Sequence, residues 1–220
     1  MSLNWRRWLG RSATQAPDLL RARWVVVDVE SSGLDVRRDR LLAIGAVGVT
    51  GGCLAPRDSF EAVLRQDEAS RPDNILVHRI TGTEQRTGQD AGPALDAFLD
   101  FAQQAGTAGF VGFHAAFDEA MIRRTLQAQH RAWPSRLPFL DLAELAPALL
   151  PGLLPAKAPL DDWLRHFRIV IARRHHAVAD ALGTAQLFLH LRALALRQGL
   201  QTPGALFAQA HAQRWLARGG

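Results

Sequence analysis

The stretch Trp24–Glu30, WVVVDVE, decides the fold. Apolar residues at consecutive positions indicate a strand that is buried on both faces, as the central strands of α/β sheets are. Asp28 and Glu30 lie two residues apart, so both side chains leave the same face of this strand. The stretch therefore predicts a central strand that carries two acidic side chains at its carboxyl end.

These two acids favour a metal site. Two anions on a valine-lined strand are costly to bury unless something neutralises them. Ligand sites of open α/β sheets form at the carboxyl ends of the strands, and divalent cations prefer oxygen ligands. The alternative that the residues leave open is an exposed strand end at which Asp28 and Glu30 face water.

The segments around this strand predict an α/β fold in which a mixed β-sheet is flanked by α-helices. SSGLD is a turn that contains Gly33, and RLLAIGAVGV and DSFEAVLRQ follow as strands of a meander. Next come a helix in GPALDAFLDFAQQA, a strand in TAGFVGFH and a helix in DEAMIRRTLQAQH. Shorter helices are predicted in LDLAELAPALL and APLDDWLRHF, and a long one from about Ala177 to Arg197.

Composition indicates what kind of partner the protein binds and in which compartment it works. The net charge of +5 comes almost wholly from arginine, which suits a polyanionic partner. The single cysteine, Cys53, excludes an intrachain disulfide and fits a reducing compartment. The most apolar stretch, Leu140–Leu160, is interrupted by four prolines, and the first residues lack the apolar run of a signal peptide. We therefore expect a cytoplasmic protein without a membrane partner.

Two further acidic sites lie downstream. In FHAAFDEAM, Asp118 opens a helix just after a strand, and read alone it suits a helix cap or a partner of the helix dipole. In RRHHAVADALGTA, Asp180 follows His175 by one and a half helical turns. A histidine beside carboxylates suits a general base, although a capping histidine and a surface aspartate explain this segment equally well in isolation.

Taken in order, the three sites resemble the motifs of the DEDDh family of 3′–5′ exonucleases. This family includes the proofreading subunit of bacterial replicative DNA polymerase, RNase T and oligoribonuclease. The resemblance rests on DVESSGLD, FVGFHAAFDEAM and RRHHAVADALGTA, and the shorter segments LLAIGAV and VHRITGT also match the family pattern. It extends over roughly residues 24–196 and implies a ribonuclease H-like fold.

The resemblance also implies roles for individual residues. The family's catalytic histidine matches His175, and its metal-binding acids, which hold two Mg²⁺ or Mn²⁺ ions, match Asp28, Glu30, Asp118 and Asp180. The substrate contacts expected from it are Ser31, Ser32, Gly33, Leu34 and His78. For His78, a local hydrogen bond within its loop is the open alternative.

The function expected from this resemblance is metal-dependent hydrolysis of 3′ ends of single-stranded nucleic acid. DNA is favoured over RNA, the products are nucleoside 5′-monophosphates, and the setting is proofreading or repair with a DNA polymerase subunit as a possible partner. The alternatives are an exonuclease of RNA or short oligonucleotides, and a non-catalytic subunit that binds nucleic acid or polymerase. The expected organisation is a basic arm (1–23), the exonuclease domain (24–198) and a C-terminal extension (199–220).

Three departures from the family pattern leave undecided which branch of the family the chain resembles. The usual His-Asn pair of the second motif is replaced by Phe113-His114, and the acid of the EIGAV pattern by Ala43. A threonine that often follows Asp141 is Leu142 in this chain. None of these changes removes an expected metal ligand. We expect Asp141 itself to be a helix N-cap.

Overall fold

The computed structural model describes residues 18–155, 157–171 and 174–218. The predicted basic arm therefore lies outside the described residues up to position 17. Within the described part of the chain, no helix combines the length and the apolar character that crossing a membrane requires.

Five strands form one sheet in the order β3-β2-β1-β4-β5. The strands are β1 (Arg23–Ser31), β2 (Leu41–Thr50), β3 (Cys53–Val63), β4 (Thr107–Gly112) and β5 (Phe139–Asp141). The meander β1-β2-β3 is antiparallel, whereas β4 runs parallel to both β1 and β5. The mixed sheet and the central position of WVVVDVE are confirmed.

Eight helices surround the sheet in the described residues. They are α1 (Pro72–His78), α2 (Gly82–Thr87), α3 (Ala91–Ala102), α4 (Ala116–Ala128), α5 (Leu142–Leu149), α6 (Leu160–His166), α7 (Ala177–Arg197) and α8 (Pro203–Arg218). The long predicted helix coincides with α7. The prediction for LDLAELAPALL was wrong at its start, because the first residues pair with β4 as β5.

The alternation of β1 separates two apolar cores. Trp24 and Val26 face a core that includes residues of α5, α6, α7 and α8. Val25, Val27 and Val29 face the other core, which is built with α3 and α4. A large apolar side chain that is fully buried contributes roughly 1.5–3 kcal/mol, so β1 is held from both sides.

Asp141 ties the end of β4 to its surroundings. Its carboxylate accepts hydrogen bonds from the backbone N–H of His114 (2.9 Å) and Ala115 (3.1 Å), and it caps α5 through the N–H of Ala143 (2.9 Å). The predicted N-cap role is confirmed. Because these bonds fix the short connection from β4 to α4, they also fix where α4 begins.

Candidate functional site

Three carboxylates from two distant segments meet at the carboxyl end of β1. Asp28 and Glu30 come from the strand and Asp180 from the first turn of α7. One carboxylate oxygen from each lies within 4.8 Å of the others, and no other cluster of this kind occurs among the described residues. Glu30 is 8% exposed and Asp180 5% exposed, so this is not a strand end whose acids simply face water.

Asp118 stands beside this group. It lies in the first turn of α4, is 6% exposed, and accepts a hydrogen bond of 3.1 Å from the backbone N–H of Val29. Its charge is close enough to help raise the pKa of Asp28. The structure therefore brings together all four acids that the sequence predicted, in an assembly called the carboxylate centre below.

Full ionisation of the carboxylate centre would bury more negative charge than its neighbours offset, and this raises the pKa of its acids. Burial, and then the charges of Asp118 and Asp180, hold the pKa of Asp28 well above its usual range. Burial and the charge of Asp180 raise the pKa of Glu30 to about 8. Burial also raises the pKa of Asp118 to about 8, against the lowering effect of the Val29 hydrogen bond. Carboxylates arranged in this way fit a hard divalent cation such as Mg²⁺ or Mn²⁺, which would neutralise them.

Arg174 is a neighbour of the carboxylate centre that sequence reasoning missed. Its Nη1 donates to Oδ1 of Asp180, and its Nε lies 3.1 Å from Oδ1 of Asp161. The other oxygen of Asp180 accepts a hydrogen bond of 2.8 Å from the backbone N–H of His175. Both oxygens of Asp180 are therefore engaged by donors of the chain itself.

A cavity of about 390 Å³ opens beside Glu30. The predicted residues that line it are Ser31, Gly33, Leu34, His78 and His175. Sequence reasoning missed four other lining residues, Val29, Asn74, Val77 and Phe117. The side chain of Leu34 is 86% exposed, so an apolar group stands at the rim next to the acids.

Ser32 supports the turn from behind and is not among the lining residues. Its hydroxyl donates to Oδ1 of Asp39 (3.0 Å), and its carbonyl accepts from the side-chain amide of Asn74. The backbone N–H of Asp35 donates to the other oxygen of Asp39 (2.8 Å). Asp39 therefore organises the turn that leads from β1 into β2.

His78 is held by its own loop. The backbone N–H of Ile80 donates to Nδ1 (3.0 Å), which leaves the proton on Nε2 to be donated to the Ser70 hydroxyl (2.9 Å). Burial lowers the pKa of His78, in keeping with a neutral ring. These bonds agree with the alternative that His78 makes a local hydrogen bond within its loop. A nucleotide contact by His78 stays a prediction.

The fold is that of the ribonuclease H-like exonucleases, as predicted. Over 81% of this chain and 42% of the other, it matches E. coli Exonuclease I in complex with a dT13 oligonucleotide, with a TM-score of 0.68 and 17% identity. Cell-death related nuclease 4 (CRN-4) matches with a TM-score of 0.68 and 12% identity, over 83% of this chain and 67% of its own. At these identities the likeness shows the fold alone.

The chain belongs to the RNase_T family, described as exonuclease, whose model matches residues 25–188. The predicted membership among DnaQ-like exonucleases, the group with the DEDDh motifs, is thereby confirmed. The chain is 29% identical over 178 residues to the PolC-type DNA polymerase III of Bacillus subtilis and 27% identical over 169 residues to that of Thermotoga maritima. These matches include 81% and 76% of this chain, but the chain spans only 12% of the length of each polymerase.

Proposed function

We propose that this protein is a divalent-metal-dependent 3′–5′ exonuclease of single-stranded nucleic acid that releases nucleoside 5′-monophosphates. The observation that carries the proposal is the carboxylate centre, in which Asp28, Glu30 and Asp180 converge next to a cavity in a chain of the exonuclease family. Buried acids with raised pKa values in a cleft are typical of catalytic and metal-binding sites.

Asp28, Glu30, Asp118 and Asp180 would hold two ions, Mg²⁺ or Mn²⁺. When bound, such ions supply electrostatic stabilisation to the attacking and leaving oxygens of a phosphodiester. The protein contributes the fixed arrangement of its carboxylates, since β1 and α7 are both anchored in the core. A related solved structure, with a TM-score of 0.67 and 18% identity, is described as the zinc-bound form of an E. coli ExoI–ssDNA complex.

His175 is the group we assign to accept the proton of the attacking water. It lines the same cavity as Glu30, and its backbone is fixed by the bond from its N–H to Asp180. A neutral imidazole accepts a proton near neutral pH, which suits general-base catalysis.

The Ser31–Leu34 turn is the proposed seat of the 3′-terminal nucleotide. The turn borders the cavity, with Leu34 at its rim for apolar contact with a base, and His78 of α1 lines the same cavity. In this assignment Ser32 acts by holding the turn in shape, and Ser31 and Gly33 border the sugar and phosphate.

DNA is the favoured substrate and a DNA polymerase the favoured partner. The support is that the curated relatives are DNA polymerases and that a structural neighbour was solved with dT13. Proofreading and repair both fit such a partner. RNA trimming, action on short oligonucleotides and a non-catalytic binding role are outcomes that the same assay separates.

The test is incubation of the purified chain with 5′-labelled single-stranded DNA and RNA of several lengths, with Mg²⁺, Mn²⁺ or EDTA. We expect a metal-dependent ladder that shortens from the 3′ end and is faster on DNA. Asp180→Asn should abolish it, whereas Asp100→Asn, an exposed acid on α3, should not. Binding of both polymers without cleavage would instead indicate the non-catalytic subunit, and cleavage restricted to the shortest substrates would indicate an oligonucleotidase.

A further inference from the structure

Arg174 stands where a cation would act on Asp180. Its guanidinium donates to Oδ1 of Asp180 through Nη1. A divalent ion at the same oxygen would repel this guanidinium. An ion bound at Oδ1 of Asp180 would therefore weaken the bond that Arg174 makes to the same oxygen.

The guanidinium has a second anchor in Asp161, which does not belong to the carboxylate centre. Its Nε pairs with Asp161 at 3.1 Å, and both residues line a separate cavity of about 390 Å³. Arg165 and Arg168 also line this cavity, together with Val170, whose side chain is largely exposed. Arg174 thus lies at the junction between an acidic centre and a basic cavity.

We propose that Arg174 is a shared cation that neutralises Asp180 in the metal-free protein and binds a nucleic-acid phosphate once metal takes Asp180. Asp161 keeps the guanidinium at the junction in both states, and release from Asp180 frees Nη1 for a phosphate oxygen. Arginine suits this role because its planar fork matches carboxylate and phosphate equally well. The proposal has two parts. The first, that a metal ion replaces Arg174 at Asp180, is called the exchange and does not depend on the proposed function. The second, that Arg174 then binds a phosphate, is called the phosphate half and rests on the proposed function.

The exchange is tested by Mn²⁺ binding to the metal-free protein, measured by calorimetry without nucleic acid. In Arg174→Gln the ion no longer has to displace a guanidinium, so we expect Mn²⁺ to bind about tenfold more tightly than in the wild type. Arg165→Gln removes the same charge from the neighbouring cavity and should change the affinity less than about twofold. Equal or weaker Mn²⁺ binding in folded Arg174→Gln would overturn the exchange.

A second measurement needs no variant. A crystal structure of the wild-type chain grown with Mn²⁺ should show the Arg174 side chain off Oδ1 of Asp180 and still beside Asp161. An Arg174–Asp180 bond that persists with Mn²⁺ in the carboxylate centre would refute the proposal even if the variant failed to fold.

The phosphate half is tested by affinity for an oligothymidylate with 3′-terminal phosphorothioate linkages in the presence of Mn²⁺. We expect Arg174→Gln to bind about tenfold more weakly and to lower the salt slope by about one, the effect of losing one phosphate contact. Arg57→Gln, an exposed arginine on β3, serves as the control. Unchanged oligonucleotide affinity would refute the phosphate role alone, and absent exonuclease activity with normal Mn²⁺ exchange would refute the proposed function alone.

Discussion

Gly45 and Ala177 are in direct backbone contact across the interface between β2 and α7. A Cβ atom added to Gly45 would lie 2.2 Å from the carbonyl carbon of Ala177 and 2.2 Å from the nitrogen of Val178. Gly45 is also the antiparallel partner of Asp28 in the sheet. The missing side chain therefore lets the first turn of α7 settle on the sheet, which brings Asp180 up to Asp28.

We expect Gly45→Ala to displace the start of α7. Relieving this overlap should cost about 1–3 kcal/mol of the free energy of unfolding and weaken Mn²⁺ binding, because Asp180 moves with the helix. Chemical denaturation and calorimetry measure the two effects. Gly204→Ala in α8, where the nearest atom to an added Cβ is 3.9 Å away, is the matched control and should keep full Mn²⁺ affinity. Normal stability and Mn²⁺ binding in Gly45→Ala would contradict the packing argument.

The metal-free protein should lose stability as the pH rises. Burial raises the pKa of Glu30 to about 8 in the folded chain, against 4.5 ordinarily. The contribution of Glu30 to the free energy of unfolding is therefore fully present below about pH 4.5 and is lost as the pH rises towards 8. Burial raises the pKa of Asp28 and of Asp118 as well, so both add to this loss of stability.

The comparison that isolates this effect is thermal unfolding in EDTA at pH 5 and pH 8.5. Glu30→Gln cannot ionise and should become progressively more stable than the wild type over this interval. Added Mn²⁺ should reverse the order at pH 8.5, since only the wild type offers the full set of carboxylates. If the stability of the two proteins changed equally with pH, the pKa of Glu30 would not be raised by its burial.

His175→Ala should separate catalysis from metal binding. Loss of a general base lowers turnover by about 10²- to 10⁴-fold, whereas the four acids of the centre remain in place. We expect kcat on single-stranded DNA to fall by this factor with Mn²⁺ affinity changed less than about threefold. His211→Ala, an exposed histidine of α8, should retain wild-type turnover. A wild-type kcat in His175→Ala would remove the histidine from the mechanism.

Asp39→Ala should act on substrate binding. The change removes the bonds from Ser32 and Asp35 that shape the turn at the cavity, and two such bonds contribute roughly 1–3 kcal/mol together. We expect KM to rise about tenfold with a smaller change in kcat, because no ligand of the centre is touched. Asp67→Ala, which removes an exposed acid outside the turn, is the comparison variant. An effect confined to kcat would mean that the turn does not hold the terminal nucleotide.

The central strand and the acids were predictable because their signals are local. Valine at consecutive positions marks burial on both faces, and the spacing of Asp28 and Glu30 fixes their common face. The bounds predicted for the long helix, about Ala177 to Arg197, agree with those of α7. The convergence of Asp118 and Asp180 with β1 was reached only through the ordered family motifs, because each segment alone had an ordinary explanation.

The parts that were missed lack such local signals. Helix α1 is short, and its Leu76 and Val77 are exposed, so no inward-facing stripe marks it. Strand β5 has three residues and is recognisable only by its pairing with β4. The role of Arg174 depends on Asp161 and Asp180 from two other elements, and an arginine next to histidines in a loop carries no pattern that reveals such contacts.

The distance along the chain between the acids has a consequence for biosynthesis. Asp28 and Glu30 emerge from the ribosome with β1, long before Asp180 is made in α7. Until then β1 also lacks the apolar cover that α7 provides on one face. A nascent chain that stops short of α7 therefore holds only an incomplete carboxylate centre, and the ability to capture a cation arises together with closure of the core rather than by degrees.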